Sequence, residues 1–270
     1  MIAKRIGIIG AGKMGEAILN GLLSSHSFST EQVLATEVSP ERSKYIRATY
    51  GISCGDGVEE LVNASDLIII AVKPEVVESV VMEVGKTIGK KPLVSIAAGV
   101  TIEFISRHLP KGVPVFRAMP NIAAYVRAAT IAIAVANGIA GKSRSLRMVD
   151  ETLGILGKVV FVDERLMDAI TGLVGSGPAY IYTIIDALAD AGVRLGIPKD
   201  LSIILAAQTV RGASMMVLET GKHPALLKDE VASPGGTTIE GLVVLERGSL
   251  RGLLIEAVTS AASRAKSLRS

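Results

Sequence analysis

Residues 4–15 read Lys-Arg-Ile-Gly-Ile-Ile-Gly-Ala-Gly-Lys-Met-Gly, and no other stretch limits so sharply what the chain can become. An apolar β-type run, Ile6 to Ile9, meets glycines spaced G-x-G-x-x-G at 10, 12 and 15. A helical stripe of Met14, Ala17, Ile18, Gly21 and Leu22 then begins, so the order is strand, tight turn, helix. Gly10 permits the turn, Gly12 lets a pyrophosphate approach the backbone, and Gly15 lets the helix pack closely on the strand. Unpaired N–H groups at the helix start can then face an anion. A dinucleotide is the expected guest, bound by Ile9, Gly10, Ala11, Gly12, Lys13, Met14 and Gly15.

Strand and helix alternate from there. Val33 to Thr36 is predicted as a strand and Pro40 to Tyr50 as a helix, with Ser39 as N-cap and Pro40 at the first helical position. A short strand near Ile52 and a helix over Val58 to Ala64 follow. Asp66 to Val72 is a continuous apolar run, the signature of a parallel strand covered on both faces, and Lys73-Pro74 stops it. The expected series continues with a helix from Val76 to Ile88, a strand from Pro92 to Ala97, a helix from Thr101 to Leu109 and a strand from Val113 to Ala118. Ala129 to Ala136 is strand-like, Lys142 to Leu156 helical, and Lys158 to Val162 closes the series. The pattern predicts an α/β fold, with a doubly wound Rossmann-type sheet over residues 1–162.

From residue 163 onward helical periods dominate: Leu166 to Val174, Pro178 to Leu195, Lys199 to Thr220, Pro224 to Val231, Thr238 to Arg247 and Leu250 to Leu268. Residues 163–270 are therefore expected to form an all-α domain. Within it, Ile181, Ile184, Ile185 and Leu188, and likewise Ile203, Ile204 and Leu205, point in several directions around their helices. A helix apolar all round must be covered, and a domain of this size encloses few places, so a homodimer through these helices is expected.

Composition removes several classes. Of 270 residues, 49% are hydrophobic but only 3% aromatic, with no Trp, so base stacking on nucleic acid is not expected. The net charge of +3 comes from scattered Lys and Arg without a basic stripe. Cys54 is the only cysteine, which rules out an intramolecular disulfide and fits a reducing cytoplasm. His26, His108 and His223 lack metal-ligand spacing, and no metal is expected. The stretches Ala128 to Gly141 and Ala169 to Ile185 are respectively short for a span of ~20 residues and broken by Gly-Ser-Gly-Pro. Neither a signal peptide nor a membrane span is expected, and the chain reads as a soluble protein.

In a doubly wound fold the ligand sits at the carboxyl ends of the strands. Glu37 falls about twenty residues past the glycine loop, where an acid would accept from the adenosine ribose of NADH; Ser39 and Arg42 keep NADPH open. Ala71, Val72, Lys73 and Pro74, and then Ile96, Ala97 and Ala98, end the next strands with the small residues a ribose and nicotinamide need, and Lys73 can reach the ribose. Farther on, Ser233-Pro-Gly-Gly-Thr-Thr238 places hydroxyls and bare backbone N–H groups at a helix start, a receptor for a small carboxylate.

Thr171 to Tyr180 carries glycines that match a G-x-x-G-x-G segment of the β-hydroxyacid dehydrogenases. Those enzymes continue with a lysine and then an asparagine, where this chain has Ile181 and Ile185. Without a base there, handling a substrate alcohol is disfavoured. Gly172-x-x-Gly-Ser-Gly-Pro-Ala179, Asp186-Ala-Leu-Ala-Asp-Ala-Gly192 and Lys228-Asp-x-Val-x-Ser-Pro-Gly-Gly-Thr-Thr-Ile239 resemble the pyrroline-5-carboxylate reductase family over essentially the whole chain. The resemblance implies hydride transfer from NADPH or NADH to the C=N carbon of pyrroline-5-carboxylate, giving L-proline. It implies that Thr238 hydrogen-bonds the ring nitrogen, that Ser233, Gly236 and Thr237 hold the carboxylate, and that Glu164 and Ser176 lie on the substrate side. It also implies interlocked dimers, further assembled into a ring. An iminium brings its own proton, so Ile181 is acceptable. The chain departs from the family where a frequent Asn-Arg is Glu37-Val38, and where an asparagine before the third helix is replaced by Val58 or displaced to Asp56. Both departures leave the choice between NADH and NADPH open, with Glu37 tipping it to NADH.

Overall fold

The structure is a computed structural model and describes residues 2–136 and 143–268. The expected helix start at Lys142 lies outside the described residues. In chain order, β1 (Ile6–Ile9), α1 (Lys13–Ser24), β2 (Val33–Thr36), α2 (Pro40–Tyr50), β3 (Ser53–Gly55), α3 (Val58–Ala64) and β4 (Leu67–Ile70) come first. They are followed by α4 (Val77–Val84), β5 (Leu93–Ser95), α5 (Ile102–Arg107), β6 (Val115–Met119), β7 (Ala129–Val135), α6 (Arg144–Gly154) and β8 (Gly157–Phe161). One eight-stranded sheet results, ordered β3-β2-β1-β4-β5-β6-β7-β8. Only β6 and β7 pair antiparallel among its described strands.

The sheet forms because its strands bury both faces. In β4, Leu67 and Ile69 join one apolar cluster while Ile68 and Ile70 join the other, and all four are fully buried. A side-chain period of two with both faces covered turns alternation into the unbroken apolar run seen in the sequence. Ser39 caps α2 by accepting from the Arg42 N–H at 3.3 Å, with Pro40 at the first helical position. Such a cap satisfies one of the orphan donors at the helix start.

Three expected elements differ in detail. The third strand begins at Ser53, one residue after Ile52. The helix expected from Val76 is preceded by a 3₁₀ turn at Pro74–Val76, and α4 stops at Gly85. The single helix expected over Leu166 to Val174 is three pieces: a 3₁₀ turn (Glu164–Leu166), α7 (Met167–Ile170) and a π turn (Thr171–Gly175). The π turn closes through Ser176 N–H donating to the Thr171 carbonyl at 3.0 Å. Gly172 and Gly175 lower the preference for a regular helix in this stretch.

The chain divides into two compact units, one running to Ser176 with the last turns from Thr259, the other covering Gly177–Val258. The second unit is helical: α8 (Gly177–Arg194), α9 (Lys199–Thr220), α10 (Pro224–Glu230), α11 (Thr237–Arg247) and the first half of α12 (Leu250–Ser267). Helices α8 and α9 pack together, close enough that a Cβ on Gly192 would lie 2.6 Å from Ser202 Oγ. Their apolar residues are nevertheless largely uncovered, with Ile204 63% and Leu218 82% exposed. By length and composition alone α9 passes for a membrane span, although it carries Arg211 in its interior.

Candidate functional site

The sheet register gathers the strand ends named by the sequence. Thr36, Ile9, Ile70 and Ser95 are aligned across β2, β1, β4 and β5. The residues that follow them, Glu37, Gly10, Ala71 and Ile96, therefore share one edge. Backbone bonds extend the ladder past the strands: Gly10 N–H donates to Thr36 O at 2.9 Å, Ala71 N–H to Ile9 O at 2.8 Å and Ile96 N–H to Ile70 O at 3.0 Å. Beyond this edge lie Val72, Lys73 and Pro74 after β4 and Ala97 and Ala98 after β5; Lys73 is exposed and Ala97 buried. This is the crevice where doubly wound sheets take their ligands.

The glycine loop passes a steric test for a pyrophosphate. Gly10 has φ +94°, and a Cβ there would lie 2.8 Å from the Ala71 carbonyl oxygen. At Gly15 a Cβ would lie 2.0 Å from the Gly10 carbonyl oxygen, so only glycine lets α1 start this close to β1. Around Gly12 nothing lies within 4 Å of an added Cβ. Gly12 is the N-cap of α1 without a side-chain cap, which leaves N–H groups of the first turn directed at open space. Ile9 and Ala11 are buried beneath the loop, Met14 is half-buried, and Lys13 is exposed at its rim.

Glu37 stands at the end of β2 with its carboxylate held by two backbone donors, Ala11 N–H at 3.0 Å and Ser39 N–H at 3.1 Å. Arg42 approaches the same loop residue from the other side, its Nε donating to the Ala11 carbonyl at 2.8 Å. Its Nη2 pairs with Glu16 in the first turn of α1. Glu16 also accepts from Tyr50 at 2.8 Å and Tyr45 at 3.1 Å. Burial pushes the Glu16 carboxyl up, but the bonds from Arg42 and the two tyrosines outweigh it and hold it below its ordinary value. Burial and the Glu16 carboxylate together raise the Tyr50 hydroxyl well above the usual range.

In the helical unit, Gly235 adopts φ +67° and Gly236 is the N-cap of α11, again without a side-chain cap. Gly236 N–H donates to the Ser233 carbonyl at 3.0 Å, and a Cβ on Gly236 would lie 2.2 Å from Ser233 Oγ. The hydroxyls of Ser233, Thr237 and Thr238 take part in no hydrogen bond among the described residues. Three polar groups thus surround a bare helix start, and none of them is used to cap it. That is the chemistry of a receptor for a small carboxylate.

Glu164 and Ser176 belong to the first unit. Ile102 N–H donates to Glu164 Oε1 at 2.8 Å and Arg117 Nη1 approaches the same oxygen at 3.4 Å. Ser176 is half-buried at the end of the π turn. Sequence reasoning missed Arg117, a fully buried guanidinium on β6 that also contacts Asp168 at 3.4 Å. A charge inside the apolar run Val115-Phe-Arg-Ala-Met119 was the available signal. It likewise missed Glu16, whose link to Arg42 crosses 26 residues and leaves no periodic trace.

A glycine cradle at the strand edge of a doubly wound sheet, followed by a helical unit, defines a nicotinamide-dinucleotide-dependent oxidoreductase. Residues 164–268 match the family described as pyrroline-5-carboxylate reductase dimerisation. Residues 5–99 match the family described as NADP oxidoreductase, coenzyme F420-dependent. A pyrroline-5-carboxylate reductase of Arabidopsis thaliana is 41% identical, covering 98% of this chain and 95% of its own. One from Methanosarcina acetivorans is 42% identical, covering 98% of both. Among solved structures, the Plasmodium falciparum pyrroline carboxylate reductase with NADP bound has a TM-score of 0.88 at 28% identity, over 98% of each chain. The chain belongs to the pyrroline-5-carboxylate reductase family.

Proposed function

We propose that this protein reduces L-1-pyrroline-5-carboxylate to L-proline with NADH or NADPH. The observation that carries the reading is the start of α11, where Ser233, Thr237 and Thr238 keep their hydroxyls free around the uncapped Gly236 N-terminus. A cyclic imino acid presents one carboxylate and one ring nitrogen. Ser233 Oγ with the Gly236 and Thr237 N–H groups suits the carboxylate, and Thr238 Oγ suits the nitrogen. When bound, the reduced nicotinamide supplies the hydride, which goes to the C=N carbon.

The chain itself binds and orients. The Gly10–Gly15 cradle and the small residues Ala71, Ala97 and Ala98 make room for the dinucleotide. Glu164 and Ser176 are assigned to the substrate side. No general base is required, because the protonated imine keeps its proton on nitrogen as the bond to carbon forms. Glu37, with its carboxylate already pinned by Ala11 and Ser39, suits the ribose diol of NADH. The Plasmodium relative holds NADP, so both cofactors belong in the test.

Residues 1–162 are read as the dinucleotide-binding domain and 163–270 as the substrate and dimerisation domain, in keeping with the family match over 164–268. The working form is a homodimer through the helices, assembled further into a ring of dimers, in the cytoplasm. The decisive assay follows loss of reduced-nicotinamide absorbance on adding pyrroline-5-carboxylate, with each cofactor separately. Oxidation is expected with at least one; none with either, in folded protein, would overturn the reading. Glu37→Ala is expected to raise the NADPH to NADH ratio of initial rates, and an unchanged ratio would remove Glu37 from the ribose.

A further inference from the structure

Around the ribose-facing edge the structure spends more charge than architecture needs. Ala11 is gripped on both sides, its N–H by Glu37 at 3.0 Å and its carbonyl by Arg42 Nε at 2.8 Å. Arg42 is thus the guanidinium beside the acid that reads the ribose. Its Nη2 is committed to Glu16, and its plane lies over the Tyr45 ring at 5.0 Å. Glu16 is in turn fixed by the hydroxyls of Tyr45 and Tyr50. A bidentate grip on phosphate takes two guanidinium nitrogens in one plane, and here Nε and Nη2 are already occupied. A 2′-phosphate arriving at this edge would meet the carboxylates of Glu37 and Glu16 against one neutralised arginine.

We propose that Glu16 is a specificity-determining residue, which by holding Arg42 on the phosphate loop denies the adenosine 2′-phosphate its arginine and biases the site toward NADH. The inference rests on the cofactor reading above. A glutamine at 16 would still accept from both tyrosines and tie α1 to α2, so that substitution isolates the negative charge that holds Arg42. With the charge removed, Arg42 is free to turn its fork outward and its positive charge is no longer offset.

The test is isothermal titration of NADH and NADPH, without substrate, into the full-length protein and into Glu16→Gln, Arg42→Ala and the double variant. Glu16→Gln is expected to improve NADPH affinity relative to NADH by roughly three- to tenfold, the scale of one partly screened charge. Arg42→Ala should cancel that gain in the double variant, yet change the ratio by less than about threefold on the native background, as coupled residues do. An unchanged ratio in Glu16→Gln, or a gain that persists without Arg42, would overturn the proposal. So would a selective loss of NADPH of about tenfold or more in Arg42→Ala alone, since Arg42 would then already hold the phosphate; this arm decides the matter even if Glu16→Gln does not fold. Native protein that binds neither cofactor would overturn the cofactor reading and this inference together, whereas binding of both with an unmoved ratio overturns the inference alone.

Discussion

Two glycines of one loop do different work, and substitution separates them. Nothing lies within 4 Å of a Cβ on Gly12, so Gly12→Ala should leave the melting temperature unchanged and weaken NADH binding by about tenfold, read by titration. A Cβ on Gly15 would lie 2.0 Å from the Gly10 carbonyl oxygen, so Gly15→Ala should itself destabilise the protein by about 1–3 kcal/mol. In the helical unit, on the proposed reading, Thr238→Ala removes one hydrogen-bonding group from the reacting nitrogen. It should lower kcat/KM by about 1–3 kcal/mol in steady-state assays, while Thr238→Ser keeps most of the rate. Glu16 adds a pH signature. Its carboxyl is held below its ordinary 4.5, so an unfolded chain takes up that proton first as pH falls. The stabilisation is complete above 4.5 and is lost as pH drops through the lower folded value. Urea midpoints of native protein and Glu16→Gln should therefore differ near neutral pH and draw together as pH falls below 4.5. A gap that stays constant over this range would mean that the carboxylate does not contribute through its charge.

The elements depend on how far a pattern reaches along the chain. Strand β4 was legible because four adjacent buried side chains serve both faces, and the cap of α2 because Ser39 and Pro40 act within one turn. The edge formed by Glu37, Gly10, Ala71 and Ile96 follows from strand order, which the alternation of strands and helices already implies. The break at 171–175 was not legible, since Leu166, Ile170 and Leu173 fit a helical spacing. What sets it apart is Gly172 and Gly175 together with β6, for a Cβ on Gly175 would lie 3.4 Å from Met119 Sδ. Arg117 escaped for the same reason: its partners Glu164 and Asp168 lie 47 and 51 residues away. Buried and anchored to both acids, it ties β6 to the turn that carries Glu164. Arg117→Leu would leave the nearly buried Asp168 without this counter-charge, and breaking such a pair costs about 3–5 kcal/mol. A fall in the urea midpoint of that order is expected. On the proposed placement of Glu164 at the substrate, kinetics of whatever fraction stays folded should show a raised KM for pyrroline-5-carboxylate.

At the scale of the whole molecule the decisive feature is what one chain leaves uncovered. Apolar residues all around α8 and α9 predict helices that are covered, yet in the single chain only Ala189, Ser202 and Ala206 of these helices are buried. Ile203, Ile204, Leu205, Met215, Met216 and Leu218 remain exposed along α9. An apolar face of this extent on an isolated chain would favour association, and the family match over residues 164–268 is to a dimerisation domain. The same composition gives α9 the length and hydropathy of a membrane span. Ile204, 63% exposed on α9, is the place to test association. A charged side chain there costs little in an isolated chain but would be left unpaired inside an interface. Ile204→Asp should therefore shift the mass measured by light scattering from a multiple of the chain toward 28.1 kDa. It should do so more completely on dilution, with the far-ultraviolet circular dichroism retained. A mass that stays at the native multiple would place the subunit interface elsewhere. A native protein already at one chain mass would remove the dimer altogether.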